Sequence, residues 1–420
     1  MMLNEVFSGT LVVVGMGYIG LPTATVLATR GVKVIGVDVN PRIVEAISRG
    51  ETPFIEPDLA VAVSGAVAMG RLSMSQDVPE ADAYIIAVPT PFLDDHTADL
   101  SYIQSAAEQI APHLKPGAIV VLESTSPPGT TEKVSRWIGA LRPDLKMPHV
   151  AGSIADISVA HCPERVLPGR IMIEMITNNR VVGGLTSQCA ARAASIYRVF
   201  SQGEILLTDA ASAEMAKLVE NSYRDVNIAF ANELSLISES LGLDVWEVIK
   251  LANQHPRVNV LSPGPGVGGH CIPVDPWFIV AAAPELARLI RTAREVNDHK
   301  PHHVADQVIA KARRFVSPSI ACLGLTFKAN VDDVRESAAV EVVGLIASAL
   351  PEFEIMVADP YVDELPPKLT SNANLRLANA GEAADAADII VLLVEHEAFR
   401  PLRHLRQNGK VVYDTRGAWA

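Results

Sequence analysis

Residues 11–20, LVVVGMGYIG, constrain the fold of this chain more than any other segment. Leu11–Val14 are apolar at every position, the pattern of a strand buried on both faces in a parallel sheet. Gly15, Gly17 and Gly20 follow in the spacing G-x-G-x-x-G, and Ile19–Arg30 reads as a helix. In that context the first glycine permits the tight turn and the second lets the backbone approach a pyrophosphate. The third lets helix pack closely on strand, and the helix amino terminus faces the phosphates. Asp38 ends the next apolar run, where a carboxylate accepts a hydrogen bond from a ribose 2′-hydroxyl and repels a 2′-phosphate. The reading is NAD, with Arg42 the nearby cation that keeps NADP open.

The stretch Leu11 to Thr29 is uncharged and long enough to span a bilayer, but three glycines and Pro22 interrupt it and no Lys or Arg precedes it. A soluble, cytoplasmic chain is expected. Val32–Asp38, Ala83–Val88 and Ala118–Glu123 repeat the apolar-strand pattern, with Pro41–Gly50 and Tyr102–Leu114 as helices between strands. From about Ala210 the pattern turns helical: Ala213–Leu241 holds no Gly or Pro, and Val245–Asn253 and Pro284–His299 continue it around a Pro/Gly-dense stretch, Ser262 to Pro276. Past Lys311 alternation returns, with strands at Ile320–Leu325, Glu354–Asp359, Ala387–Val394 and Lys410–Asp414 and helices at Glu336–Leu350 and Ala380–Ala386. The expected fold is α/β, two Rossmann-like doubly wound domains joined by a helical central domain with a long helix. The boundaries expected are 1–207, 208–305 and 306–420. Thirty-five Lys plus Arg stand against 48 Asp plus Glu, a formal net charge of −13, which argues against nucleic acid or a membrane surface as partner. Basic pockets for anionic small molecules must then be local.

Four cysteines in 420 residues make no disulfide scaffold. Cys271 stands apart because it follows Gly264-Pro265-Gly266-Val267-Gly268-Gly269-His270 and precedes Asp275 by four residues. So many glycines cost conformational entropy, and close backbone approach to a ligand is one reason to keep them. A helix starting at Ile272, with Pro273 in its first turn, would place Cys271 at a helix amino terminus, where a thiol ionises more readily. Lys217, Asn221 and Arg224 share one face of the long helix, a Lys and an amide suited to bind a hydroxyl and move its proton. A solvated helix face is the plainer reading of that spacing. The loops Val88–Pro91 and Glu123–Thr131 leave the carboxyl ends of strands, where open α/β sheets bind ligands. His299, His302 and His303 with Asp298 have metal-like spacing, but Pro301 interrupts them and they read as surface or interface histidines, with no metal site expected.

Together these motifs resemble the UDP-glucose/GDP-mannose dehydrogenase family over essentially the whole length. The resemblance rests on Cys162–Gly169 (CPERVLPG), on ENSYRDVNIAFANELS from Glu220, on HPRVN from His255 and on GPGVGGHC from Gly264. It implies an NAD-dependent enzyme that oxidises C6 of a nucleotide sugar to a carboxylate in two hydride transfers, for surface polysaccharide biosynthesis. The substrate it implies is UDP-N-acetyl-D-mannosamine, with UDP-N-acetylglucosamine and UDP-glucose as alternatives. By position it makes Cys271 the nucleophile and Lys217 the general acid/base. Asn221 and Asp275 position the hydroxyl or the hydrolytic water, and Glu164 is a further catalytic carboxylate. Lys217, Asn221, Arg165, Val166, Arg224, His255, Arg257, Gly268, Phe327, Lys328 and Arg416 are the implied substrate contacts, His255 and Arg257 reaching across from a partner subunit. Gly15, Gly17, Tyr18, Ile19, Gly20, Asp38, Thr90, Thr131 and Arg335 are the implied cofactor contacts. A homodimer or dimer of dimers follows from the same resemblance. Ala338 stands where relatives often carry Pro.

The chemistry suits the groups. A thiolate captures the aldehyde left by the first oxidation, and the adduct passes through a thioester that water hydrolyses. Lys328, Arg335 and Arg257 would offset the substrate's diphosphate. The last domain opens on Gly324-Leu325-Thr326-Phe327, without G-x-G-x-x-G, so it is expected to hold the nucleotide sugar rather than a second NAD. Two rivals remain at this stage: a single-hydride β-hydroxyacid dehydrogenase, which has no use for Cys271 or a third domain, and a non-catalytic NAD/nucleotide-sugar sensor.

Overall fold

The computed structural model describes residues 6–419 apart from 55, 270 and 408, so His270 of the glycine loop lies outside the described residues. The chain forms two compact units, Met1–Glu220 and Asn221–Ala420.

The first unit is built on eight strands: β1 (Thr10–Val14), β2 (Lys33–Val37), β3 (Leu72–Ser75), β4 (Ala83–Ile86), β5 (Ile119–Leu122), β6 (Ser158–His161), β7 (Arg180–Gly184) and β8 (Ile205–Asp209). They lie in the order β3-β2-β1-β4-β5-β6-β7-β8, with β6–β7 antiparallel and the other pairs parallel. Its helices are α1 (Gly20–Thr29), α2 (Pro41–Ser48), α3 (Leu59–Ala68), α4 (Ser101–Ile110), α5 (Thr130–Leu141), α6 (Pro148–Ala151), α7 (Ile171–Thr177) and α8 (Ser187–Tyr197). Leu11 and Val13 pack into one core layer and Val12 and Val14 into the other, which is why this strand shows no polar alternation. Strand order reverses between β1 and β4, and the crevice beyond the carboxyl ends there is where such sheets take ligands.

The helix α9 (Ala210–Ser240) begins in the first unit and continues into the second. The second unit goes on with α10 (Val245–Ala252), α11 (Asp275–Ala282) and α12 (Arg288–Ala312). Then come β9 (Ile320–Leu323), α13 (Ala338–Ala349), β10 (Ile355–Ala358), β11 (Leu375–Leu377), α14 (Ala380–Ala386), β12 (Ile389–Leu392) and β13 (Val411–Asp414), the strands forming a parallel sheet in the order β11-β10-β9-β12-β13. Two expectations need correction. The helix expected to end at His299 runs on through Pro301 to Ala312, because Val304, Ala305, Val308 and Ala312 are buried against the second sheet's core and that packing overrides the proline. The helix expected from Ile272 starts at Asp275, and Pro276, not Pro273, occupies its first turn. Among the described residues no helix is long and apolar enough to cross a membrane.

Candidate active site

At the mouth of the first sheet each glycine of the turn has its own reason. Gly15 has φ +94°, and a Cβ there would stand 2.5 Å from the carbonyl oxygen of Ala87, after β4. A Cβ on Gly20 would collide with the Gly15 carbonyl, whereas one on Gly17 meets no protein atom within 4 Å. Gly17 thus faces open space, and no side chain caps α1 at Ile19. Asp38 accepts from the Met16 N–H at 3.0 Å and from the Asn40 N–H at 2.8 Å, which braces the turn and aims the carboxylate. Thr90 Oγ1 and Ser126 Oγ, beyond β4 and β5, are buried without a hydrogen-bond partner among the described residues. Buried hydroxyls left unmatched are what a polar ligand completes. The residues fit a dinucleotide: Gly15–Gly20 for the pyrophosphate, Asp38 for a ribose, Thr90 and Ser126 for polar groups farther along.

Thr131 is fully buried. Its N–H and its hydroxyl both donate to Glu214 Oε1 at 2.6 Å, and the Gly129 N–H donates to Glu214 Oε2 at 2.6 Å. Glu214 therefore closes the amino terminus of α5 from the first turns of α9, three residues before half-buried Lys217. Burial raises the Glu214 carboxyl above its ordinary value, against the pull of these three donors.

The loop after β6, Cys162–Gly169, is held on all sides. Glu164 accepts from the Arg165 N–H at 2.7 Å and pairs with Arg180 at 3.2 Å, both side chains almost wholly buried. Arg165 pairs with Glu220 of α9 and donates to the Asn179 carbonyl at 3.1 Å; Val166 packs on the core. The Leu167 N–H donates to Glu174 at 3.0 Å, and the Gly169 and Ile171 N–H groups to Glu56 at 2.8 Å each. Behind this loop lies Glu123, at the end of β5, which accepts from Thr23 at 3.1 Å and Tyr197 at 3.3 Å. Complete burial and the Glu164 charge raise its carboxyl to about 8, while Arg180 pulls the other way. Burial likewise pushes the Cys162 thiol up to about 12 and His161 down to about 3.

In the second unit Cys271 is exposed one turn before α11, and its carbonyl accepts from the Val274 N–H at 3.2 Å and the Asp275 N–H at 2.9 Å. Buried Asp275 accepts from the Asn221 side-chain amide. That bond uses the Asn221 amide N–H and so leaves its oxygen as the acceptor, and the backbone N–H of the same Asp275 holds the Cys271 carbonyl. The glycines before Cys271 have close neighbours. A Cβ on Gly266 would lie 2.8 Å from Ala338 Cβ, one on Gly268 2.6 Å from the Glu336 carbonyl oxygen, and one on Gly269 (φ +93°) 3.1 Å from the Phe327 ring. The Arg416 guanidinium fills the space before Gly264. From behind, the Gly264 N–H donates to Asn232, Asn232 to Asn297, Asn297 to Asp225, and Arg294 to Asp225 at 2.6–2.9 Å, all buried. Five of the residues singled out in sequence (Gly268, Cys271, Asp275, Asn221 and Phe327) thus belong to two directly connected contacts. Arg224, His255, Arg257 and Lys328 are exposed, and Arg335 pairs with Asp333 at 2.7 Å.

The loop carrying Phe327 and Lys328 repeats the bracing of the first. Asp359, ending β10 as Asp38 ends β2, accepts from the Leu325 N–H at 2.7 Å, the Thr326 N–H at 3.1 Å and the Tyr361 N–H at 2.9 Å. Buried His396 bonds Asp359 at 3.0 Å and Thr326 at 3.1 Å through Nε2. Its Nδ1 accepts from the Asn330 N–H at 3.0 Å, so the ring proton resides on Nε2 in the neutral form. His299 and His302 are exposed and His303 pairs with Glu239 at 2.7 Å; among the described residues no group of three His, Cys, Asp or Glu is arranged for a metal. Glu56, Arg180, Glu214, Asp359 and His396 escaped the sequence reading, and Glu123 enters it only as the end of a strand and the first residue of the Glu123–Thr131 loop. The detectable signal was a charge abutting an apolar strand: Glu123 after Ala118–Leu122, Arg180 before Val181–Gly184, Asp359 after Ile355–Ala358.

Three domain models of the UDP-glucose/GDP-mannose dehydrogenase family match the chain in succession: the NAD binding domain over residues 9–201, the central domain over 211–299 and the UDP binding domain over 321–420. The NDP-N-acetyl-D-galactosaminuronic acid dehydrogenase of Ralstonia nicotianae is 56% identical over 412 residues, 98% of this chain and 96% of that protein. The UDP-N-acetyl-D-mannosamine dehydrogenase of Escherichia coli is 54% identical over 418 residues, 98% of this chain and 99% of that protein. Among solved structures, the UDP-D-ManNAc dehydrogenase of Pyrococcus horikoshii superposes with a TM-score of 0.86 at 36% identity, covering 97% of this chain and 96% of that one.

Proposed function

The chain belongs to the UDP-glucose/GDP-mannose dehydrogenase family and is an NAD-dependent nucleotide-sugar dehydrogenase, and from that premise we propose that it oxidises C6 of UDP-N-acetyl-D-mannosamine to the uronate through a thioester on Cys271. The observation that carries the covalent route is an exposed Cys271 one turn before α11, its carbonyl held by the backbone of Asp275, whose carboxylate accepts from Asn221. Gly15–Gly20, Tyr18, Ile19, Asp38 and Thr90 would hold NAD, which when bound would supply the hydride acceptor for each of the two oxidations. Lys217 takes the C6 hydroxyl proton as the aldehyde forms. The Cys271 sulfur then adds to the aldehyde carbon, making a C–S bond, and Lys217 returns the proton to the oxygen. Loss of the second hydride and that proton leaves the thioester. Asp275 and the Asn221 amide oxygen orient the water that adds to the carbonyl; the C–S bond breaks and the thiolate leaves. Glu164, with both oxygens engaged by Arg165 and Arg180, acts by holding the sugar loop and its charge. Arg165, Val166, Arg224, Gly268, Phe327, Lys328 and Arg416 bind the nucleotide sugar, and Arg335 answers the cofactor's charge.

The segments 1–207, 208–305 and 306–420 take the NAD, central and nucleotide-sugar roles. On α9 the apolar residues Tyr223, Phe230 and Ile237 recur every seven residues with 70, 53 and 47% exposure, which supports a homodimer or dimer of dimers through that helix, with His255 and Arg257 serving the partner's site. The product is a building block for surface polysaccharide made in the cytoplasm. A second reading follows from the Ralstonia relative, whose name points to the galacto epimer at slightly higher identity than the Escherichia coli protein. Comparing kcat/KM for the N-acetylmannosamine, N-acetylgalactosamine and N-acetylglucosamine UDP-sugars and for UDP-glucose decides between them. Two NADH per sugar consumed supports the four-electron course, and one NADH with free aldehyde refutes it.

A further inference from the structure

Two residues of the first unit between α2 and α3, Phe54 and Glu56, meet two loops that are far apart in sequence. Phe54 stacks on Tyr18 of the glycine-rich turn, ring centroids 4.1 Å apart and planes 22° from parallel. Two residues on, the buried Glu56 carboxylate accepts from the Gly169 N–H and the Ile171 N–H at 2.8 Å each, through its two different oxygens. Glu56 thereby fixes the end of the Cys162–Gly169 loop from more than a hundred residues away in sequence. Glu174, Asn178 and Arg180 also hold the loop, from the segment that directly follows it, and at its start the Cys162 N–H donates to the Leu122 carbonyl at 3.0 Å. Glu220 of α9 pairs with the Arg165 side chain rather than with the loop's backbone.

We propose that Glu56 is a positioning residue for nucleotide-sugar recognition, and that Phe54 and Glu56, two positions apart in the chain, couple dinucleotide binding at Tyr18 to the shape of the Cys162–Gly169 loop. This rests on the reading of Arg165 and Val166 as substrate contacts. A carboxylate accepting two backbone N–H groups on different oxygens fixes both the distance and the tilt of the segment it holds. Replacing it by an amide keeps one acceptor and turns a donor towards the second N–H. The recognition loop then relaxes while the glycine turn, with its own bracing by Asp38, stays in place. Phe54 transmits in the other direction: a dinucleotide that orders Tyr18 orders Phe54 and with it Glu56, and Glu56 orders the loop.

The experiment uses the full-length enzyme with NAD and UDP-N-acetyl-D-mannosamine. Glu56→Gln raises KM for the nucleotide sugar about tenfold, with kcat and the dissociation constant for NADH in the absence of nucleotide sugar within about twofold of the parent. In binding titrations the parent takes NADH more tightly when the nucleotide sugar is saturating, and Glu56→Gln brings that ratio towards one. So does Phe54→Leu, which keeps an apolar contact, touches no hydrogen bond and carries the test should Glu56→Gln not fold. Weaker NADH binding by sugar-free Glu56→Gln, a fall in kcat alone, or a ratio unchanged in the variants or equal to one in the parent overturns the proposal. Failure of the parent to turn over any nucleotide sugar overturns the functional reading itself, so the two failures are distinct.

Discussion

Replacing Glu123 by Gln isolates the cost of burying an acid behind the cofactor loops. The carboxyl is 2% exposed and its pKa is raised from 4.5 to about 8, chiefly by burial and then by the Glu164 charge. A raised folded-state value means that the native protein holds this proton more tightly than the unfolded chain does. The stability it contributes is complete below about 4.5 and is lost as pH rises through about 8. Between those limits the loss runs at about 1.4 kcal/mol per pH unit. Gln keeps the shape, and its amide can meet the Thr23 and Tyr197 hydroxyls, each of which donates and accepts. The stability of Glu123→Gln relative to the parent should therefore climb by about 3 kcal/mol from pH 5.5 to 8 and level off above. A chain of two compact units need not unfold in one step, so the reporter has to be local. Trp137 is the single tryptophan of residues 1–220, and with Trp246, Trp277 and Trp419 changed to Phe its fluorescence reports urea unfolding of the first unit. A stability difference that stays flat across this range refutes the assignment of a protonated Glu123.

Four further outcomes are expected. Cys271→Ser abolishes uronate formation, measured by product chromatography, while the dissociation constant for the nucleotide sugar stays within a few-fold. Gly269→Ala forces a left-handed φ on a side-chain-bearing residue and presses on the Phe327 ring, costing about 1–2 kcal/mol of stability and lowering the rate of Cys271 alkylation or turnover. Asp225→Ala leaves the buried Arg294 with Asp298 as its remaining carboxylate and removes the end of the hydrogen-bond chain to Gly264, a loss of about 2–3 kcal/mol visible in urea unfolding of the second unit. Asp38→Ser removes the carboxylate that opposes a 2′-phosphate, and the ratio of kcat/KM for NAD over NADP falls by tenfold or more.

The parts legible in the sequence were those whose physics is local. Gly15, Gly17 and Gly20 announce a strand–turn–helix because each glycine answers a constraint within a few residues of itself, and the unbroken apolarity of Val12 and Val13 reports burial on both faces of β1. The long α9 was legible for the same reason, to within three residues at its start. Elements fixed by distant partners were not. Strands β3, β6, β7 and β8 are four or five residues long and carry polar positions such as Ser73, Ser158 and Thr208. Only pairing with neighbours decides that they are strands. Glu56 meets Gly169 across 113 positions and Glu214 meets Thr131 across 83, separations at which no spacing pattern survives. Pro301 misled for the opposite reason: its local preference is strong, and the packing that overrides it involves residues from β9 onward.

Asp38 and Asp359 brace their loops through hydrogen bonds that involve only the chain itself. Each of these two loops therefore acquires its shape when its own sheet forms, before any ligand arrives. The ordering entropy of those loops is settled during folding, so ligand encounter meets a preorganised surface and loses less freedom on association. It also makes the two loops separately adjustable. A change in the residues that follow Gly324 can retune one ligand's recognition while the carboxylate under the other loop keeps its geometry.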